Sequence, residues 1–593
     1  MTRSFFFRGA ARIDMSEDKD QGHVRIAREF SIAQHARQTG NEGMVRVCTR
    51  RAAGLAIAHW IKQNQKLGWR SDTMNQLETV ARMHRSLRTS GRLLENSQQE
   101  LPGNLHHHSQ QIPSLTPRSS STISYHKSTR ELTMKCLLFF LLIPLFEAVG
   151  QPLRLDMEVS AKRRTEFMRQ INPRSVAIFA CKPEYIRNGD VEYDYRQENN
   201  FYYLTGFEEP ESILLLNPSA ARYRYVLFVR GRNPVMETFQ GPRSGVDGAM
   251  TTFHADTAVL FSDFMESVTS FASNAGTLYY SFGINPMIDE RIRSAFLESG
   301  TSSWSIQDPS PILAEMRLIK NEGDWEMGFQ KAMDISVEGQ VDAIKAIRPG
   351  MFEYEVQAVF EYVYRKNGSP RNGYACIIGS GPNSCTLHYD RNDRRMQDGD
   401  VVVMDCGAEY GYYSADITRT LPVNGKFTNE QREIYQIVLD AQNAAIRMVR
   451  PGLIKGSLDS VMKETLGTGL LSRGFIKEKK DATLFTVHGF SHWLGLDVHD
   501  VGKTTADGQS RPLVAGMVFT LEPGIYVRPE IFDKLKDLRY TEEEIARLRV
   551  RLGRYMNTGV RIEDDIVVTE TGCKNLTEVV PRDVGAIEAL MRH

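Results

Sequence analysis

The chain has 593 residues, 41% hydrophobic and 25% charged, with 73 Lys/Arg balancing 73 Asp/Glu. That length and composition place it in the globular class, with room for two or three domains. The balance is uneven. Residues 1–133 carry 20 Lys/Arg against 11 Asp/Glu, so the remainder is net acidic and no nucleic-acid partner is expected. The seven cysteines Cys48, Cys136, Cys181, Cys376, Cys385, Cys406 and Cys573 show no zinc-finger or CxxC spacing, and no disulfide framework follows.

Residues 1–133 form a basic upstream segment of no assignable class. It has a helical-looking middle from GMVRVCTRRAAGLAIAHWIKQN onward and a polar Ser/Thr/Pro/His stretch through 104–130, in which His106, His107 and His108 read as solvated linker. At Met134 the pattern changes. MKCLLFFLLIPLFEAVGQ joins a Lys, an apolar run and the small residues Ala148 and Gly150, the layout of a secretory signal peptide over 134–150. The run falls short of the ~20 residues that span a bilayer, so no stable membrane span is expected. We expect translation to start at Met134, the mature chain to begin near Gln151, and the protein to be exported, periplasmic or secreted. A start at Met1 would instead leave it cytoplasmic.

From 151 to 312 short strands alternate with helices, with SVAIFA, SILLLN, YRYVLFV and TLYYSFG as strand candidates, which predicts an α/β domain. A second domain over 313–593 opens near EMRLIKNEGDWEMGFQKAM. One helix runs toward Ile347 and stops at Arg348-Pro349-Gly350. Another opens with Thr428 and Gln431 as a capping box, places Ile434, Ile437, Val438, Ala441, Ala445 and Met448 at helical spacing, and stops at Arg450-Pro451-Gly452. The repeated RPG, each followed by a second helical segment, suggests a duplicated half-domain.

Within this second domain Asp405, Asp416, His492, Glu522 and Glu563 each lie in an apolar or Gly-punctuated segment: VVVMDCG, YSADITRT, HGFSHWLGLDVHD, MVFTLEPGIY and GVRIEDDIVV. A carboxylate ending an apolar strand is costly unless paired or metal-bound. Alternation puts Val401 and Val403 on the face of Asp405, Val518 and Thr520 on that of Glu522, and Arg561 and Asp565 on that of Glu563, provided each strand stays regular. Cys406 then points away from Asp405 into the interior. Four carboxylates and one imidazole favour Mn²⁺, Fe²⁺, Co²⁺ or Zn²⁺ over thiolate-type structural zinc. Five side chains can serve two ions only if two carboxylates bridge, with the ions about 3.5–4 Å apart and a water activated between them. Gly502-Lys503-Thr504 is no phosphate loop, because Asp497 stands where the leading glycine belongs.

Together these motifs resemble the aminopeptidase P and prolidase group of the pita-bread metallopeptidases, over roughly 157–593. YRQENNFYYLTGFEEPES and METFQGPRSGVDGA extend the resemblance into the first domain. The fold it implies is α/β (α+β), a C-terminal pita-bread domain preceded by a creatinase-like, aminopeptidase P-type N-terminal domain. The resemblance implies two divalent ions, Mn²⁺ foremost, held by Asp405, Asp416, His492, Glu522 and Glu563, with Glu522 also the general base. It makes His388 the proton-handling and substrate-binding histidine, places His488 and His499 near the residue after the scissile bond, and has Arg561 orient carboxylates or contact substrate. Relatives form dimers or tetramers. Two departures stand out: Phe239 replaces a Trp that in the family lines a neighbouring subunit's proline pocket, and a charged, helix-prone stretch separates Tyr526 from Arg561.

The expected activity is that of an Xaa-Pro aminopeptidase acting on peptides with proline in second position. An Xaa-Pro dipeptidase shares all five ligands, and a catalytically dead pita-bread binding protein is the alternative from another class. The segments YRQENNFYYLTGF and HGFSHWLGLDVHDVG, with Ser491 where prolidases usually have Gly, look closer to aminopeptidase P.

Overall fold

Runs of apolar residues without a polar face become interior strands when both sides of a sheet are covered. SVAIFA does so as β1 (Ser175–Ala180), buried along its whole length. The computed structural model of the chain describes residues 157–298, 304–506 and 508–592, so the upstream segment and the signal-like stretch 134–150 lie outside the described residues. β1 joins β2 (Ile213–Leu216), β3 (Tyr225–Val229), β4 (Thr257–Leu260), β5 (Thr277–Tyr279) and β6 (Ser305–Gln307) in one sheet of order β4-β3-β2-β1-β5-β6. The pairs β1–β2 and β2–β3 are antiparallel, the others parallel. Helix α1 (Met157–Gln170) covers one face, its Phe167 edge-on to Phe179 with centroids 5.5 Å apart.

The second half is built twice from one plan. α2 (Gln330–Ala346) and α3 (Glu353–Lys366) are joined at the first RPG, and α4 (Asn429–Ile446) and α5 (Gly456–Ser472) at the second. Gly350 and Gly452 take φ of 91° and 80°, left-handed values a side chain would strain, which is why glycine closes both turns. The Thr428/Gln431 capping box forms as expected. One sheet has the order β7 (Ile377–Ser380), β8 (Val401–Asp405), β9 (Thr418–Pro422).

The remaining strands run as one long, broken antiparallel pair. β10 (Val518–Leu521) pairs with β13 (Asp564–Val568), and β14 (Cys573–Asn575) extends that sheet, whereas β11 (Gly524–Val527) pairs with β12 (Thr558–Arg561). Leu521 faces Asp564 and Gly524 faces Arg561, so the breaks at Glu522-Pro523 and Ile562-Glu563 lie opposite each other. Pro523 has no N–H to continue the ladder. At the breaks the two carboxylate residues bond outside this pair instead, the Glu522 amide to the Phe490 carbonyl at 2.9 Å and the Glu563 amide to the Thr418 carbonyl at 3.0 Å.

The stretch between Tyr526 and Arg561 folds into helices α6 (Ile531–Leu535) and α7 (Glu542–Leu552). Tyr540 ties it down by donating to Asp481 at 2.7 Å and accepting from the Lys477 amide at 2.7 Å. The two halves of the molecule share buried contacts through the YRQENNFYY segment. From that segment Tyr202 stacks on Tyr412 at 3.6 Å and Arg196 binds Glu409 at 2.7 Å, and from α1 Arg163 reaches Asp324 at 2.5 Å. Among the described residues no helix is long and apolar enough to cross a membrane, and Cys181, Cys376, Cys385, Cys406 and Cys573 are unpaired.

Candidate metal centre

Asp405 ends β8, and Asp416 lies just before β9, where its backbone N–H donates to the Asp565 carboxylate at 3.0 Å. The histidine segment lies along β10: the Thr520 amide donates to the His492 carbonyl at 3.0 Å, and the Glu522 amide to Phe490 at 2.9 Å. That pairing fixes His492 beside Glu522. Its Nδ1 lies 3.0 Å from the Trp493 carbonyl, an acceptor only, so Nδ1 carries the proton and Nε2 turns to the carboxylates. Nε2 stands 3.4 Å from Asp416, 3.5 Å from Glu522 and 3.9 Å from Glu563. One ligand atom each from Asp416, His492 and Glu563 fits within 4.8 Å.

All nine residues expected from the sequence line one cavity of about 500 Å³: Asp405, Asp416, His492, Glu522 and Glu563 with His388, His488, His499 and Arg561. Arg561 donates to Asp405 at 2.5 Å and to the Tyr526 hydroxyl at 2.9 Å. His488 meets the same hydroxyl at 2.8 Å, and His499 lies with its ring 4.2 Å from that of His492. The expected regular strand through Arg561, Glu563 and Asp565 is interrupted. Arg561 and Glu563 nevertheless share the cavity, while Asp565 is wholly buried behind Asp416.

The electrostatics call for cations. Burial, then the charges of Asp416, Glu522 and Asp405, push Glu563 well above the carboxylate range. Burial pushes Glu522 up to about 8, against the opposing pull of His492. Asp405 is also raised by burial, although Arg561 draws it down. Burial alone would lower His492, but the hydrogen bond and charge of Asp416 and the charge of Glu522 carry it to about 9. Without cations the cluster therefore holds protons that divalent ions would displace. The buried Glu563 Oε1 has no hydrogen-bond partner, as a ligand oxygen awaiting an ion would. The residues present fit a site for divalent metal.

Sequence reasoning missed Tyr374. Its buried hydroxyl lies 2.6 Å from both Asp405 and Asp416. One hydroxyl donates one proton, so it bonds one of these carboxylates at a time while lying against the other. An uncharged aromatic in NGYAC offers no signal by type or spacing. Thr418, donating to Glu563 at 2.6 Å, is hidden for the same reason.

Residues 160–279 match the aminopeptidase P N-terminal domain, and residues 328–570 match metallopeptidase family M24. The Xaa-Pro aminopeptidase of Escherichia coli K12 is 38% identical over 445 residues, 72% of this chain and 96% of that protein. The chain belongs to the aminopeptidase P group of metallopeptidase family M24. It is a hydrolase acting on peptides, with the two-part aminopeptidase P architecture. Aminopeptidase PepP of Pseudomonas aeruginosa superposes with TM-score 0.69 at 36% identity, covering 74% of this chain and 98% of that one. A zinc-substituted E. coli aminopeptidase P in complex with product gives 0.68 at 37% identity, covering 74% and 98%.

Proposed function

We propose that this chain is a metal-dependent Xaa-Pro aminopeptidase that releases the N-terminal residue ahead of proline. The observation that carries the reading is the convergence of four carboxylates and one correctly oriented imidazole in a cavity also lined by three further histidines and an arginine. Asp405, Asp416, His492, Glu522 and Glu563 would hold two divalent ions. Oxygen-rich donors with a single nitrogen suit Mn²⁺. Such ions supply Lewis-acid polarisation of the scissile carbonyl and acidify a water at neutral pH.

The protein's own groups do the rest. Glu522, facing the cavity beside His492 and ionised once divalent ions displace its proton, would take the proton of the attacking water. The leaving nitrogen of proline carries no hydrogen as an amide and must gain one, which His388 at the exposed cavity wall is placed to deliver. Arg561 clamps Asp405 and, through the Tyr526 hydroxyl, His488. Burial and the charge of Arg561 depress His488 to about 4, so it meets substrate as a neutral ring.

Comparison of Xaa-Pro dipeptides with Xaa-Pro-Yaa tripeptides tests the substrate class. Faster cleavage of tripeptides, with proline required, is expected. A preference for dipeptides makes it a dipeptidase, and indifference to proline overturns both. We also propose a dimer or tetramer, which light scattering tests; Phe239 and Val235, 79% and 68% exposed on one short helix, offer an apolar face for it. Export after cleavage near Gln151 remains our reading of residues 134–150.

A further inference from the structure

We propose that Glu353 is a positioning residue that holds His388 in place, an inference resting on the proton-handling role given to that histidine above. Glu353 opens α3, is fully buried, and lies outside the cavity lining. Its carboxylate is the fastening point of the loop that carries His388. Oε1 accepts from the Ser380 amide at 2.7 Å and the Ser380 hydroxyl at 2.6 Å. Oε2 accepts from the Tyr389 hydroxyl at 2.8 Å and the Arg394 amide at 2.9 Å, and Asn383 approaches both oxygens at 3.3 and 3.4 Å. The donors thus come from both ends of the segment 380–394 and from the residue next to His388.

Nothing else about this carboxylate explains its burial. A buried carboxylate is tolerated only where donors satisfy it, and here every donor belongs to the one segment 380–394 that begins at the end of β7. The amides of the first turn of α3 add a favourable dipole. On the far side, the Arg561 guanidinium approaches the Leu387 carbonyl at 3.5 Å, so His388 is held between the metal-site arginine and the buried glutamate. Glu353→Gln keeps the shape but replaces one acceptor with an NH₂ group, which sets donor against donor at Ser380 or at Arg394. The loop would shift while the five metal ligands, none of which bonds to Glu353, stay in place.

The test combines kinetics on an Xaa-Pro-Yaa tripeptide with calorimetric titration of Mn²⁺ into metal-stripped protein, for Glu353→Gln, Tyr389→Phe, His388→Ala and the double variants. Glu353→Gln is expected to lower kcat about tenfold or more while Mn²⁺ affinity and KM change by less than about threefold. On the His388→Ala background it should cost less than about twofold, because the residue it positions is gone. If Glu353→Gln fails to fold, Tyr389→Phe, which keeps the carboxylate, carries the same comparison with an expected loss of about threefold. Equal losses on both backgrounds, a fall in Mn²⁺ affinity in step with kcat, or kcat within twofold of wild type would overturn the positioning role. Full activity of His388→Ala alone would instead overturn the reading of that histidine, and the inference with it.

Discussion

Asp500, one residue after His499, is the sharpest test of how the histidine segment is held. Its side chain is 1% exposed, and both oxygens are used: Arg317 donates at 2.5 Å and Lys320 at 2.9 Å. Arg317 also has Asp497 at 2.9 Å and Asn200 at 2.9 Å, whereas the Lys320 ammonium is paired with Asp500 and is itself 1% exposed. Asp500→Asn keeps the shape and leaves that ammonium buried beside a neutral amide. Removing one partner of a buried pair costs about 3–5 kcal/mol, and the retained amide oxygen places this case near 3. Burial alone would raise Asp500, but Lys320 and then Arg317 hold it below the usual 3.8. A depressed carboxylate stabilises the fold above its unfolded pKa, and that contribution is lost as pH falls through the lower folded value. The difference between wild type and variant should therefore be constant above about pH 5 and shrink below 3.8. Urea unfolding of metal-stripped protein, in which the titration of the metal ligands cancels between the two proteins, reads this difference. A change below about 1 kcal/mol at pH 7, or one that grows on acidification, would refute the reasoning.

Asp405→Ala and Glu522→Ala should each abolish activity and lower bound Mn²⁺ below two per chain, as plasma emission analysis would show; full turnover in either, or in chelator-stripped protein, sinks the metal mechanism. Tyr374→Phe removes the hydroxyl between Asp405 and Asp416 and should weaken Mn²⁺ binding about tenfold, read by calorimetry. Glu522 and His492 are both raised in the ion-free protein, to about 8 and about 9, so stability present at low pH is lost as pH rises through those values. Thermal melts of stripped protein should fall between pH 5 and 9 and recover on adding Mn²⁺; melts that rise with pH would show the carboxylates to be ionised already. N-terminal sequencing of protein from its native host should begin near Gln151, and an intact chain from Met1 would reject export.

The strands legible in the sequence were those whose burial is complete. SVAIFA, SILLLN, YRYVLFV and TLYYSFG all form strands, because an apolar run has no competing amphipathic pattern. Thr257–Leu260 is a short apolar run only partly buried and Ser305–Gln307 is exposed, so neither stands out as a long buried strand, and pairing with a neighbour makes them strands. The ligands were legible for a related reason. A carboxylate inside an apolar run contradicts its surroundings, and that contradiction shows without any structure.

The groups that support the ligands contradict nothing. Tyr374 is an aromatic in an interior position, Thr418 lies in an ordinary strand, and Glu353 reads as an acidic residue at a helix N-terminus, where acids are common. Their function depends on partners 27 to 145 residues away, which no local pattern records. The kink that aims Glu522 and Glu563 inward is half visible, because Pro523 marks one break, while Ile562 marks nothing on the facing strand and the break there follows from pairing. A long antiparallel pair interrupted on both strands at one level lets Glu522 and Glu563 turn to other backbone partners, Phe490 and Thr418, and brings both carboxylates to the cavity. With the two aspartates at the ends of the β8–β9 connection lining the same cavity, these four carboxylates would hold divalent ions, and the broken ladder helps shape the site.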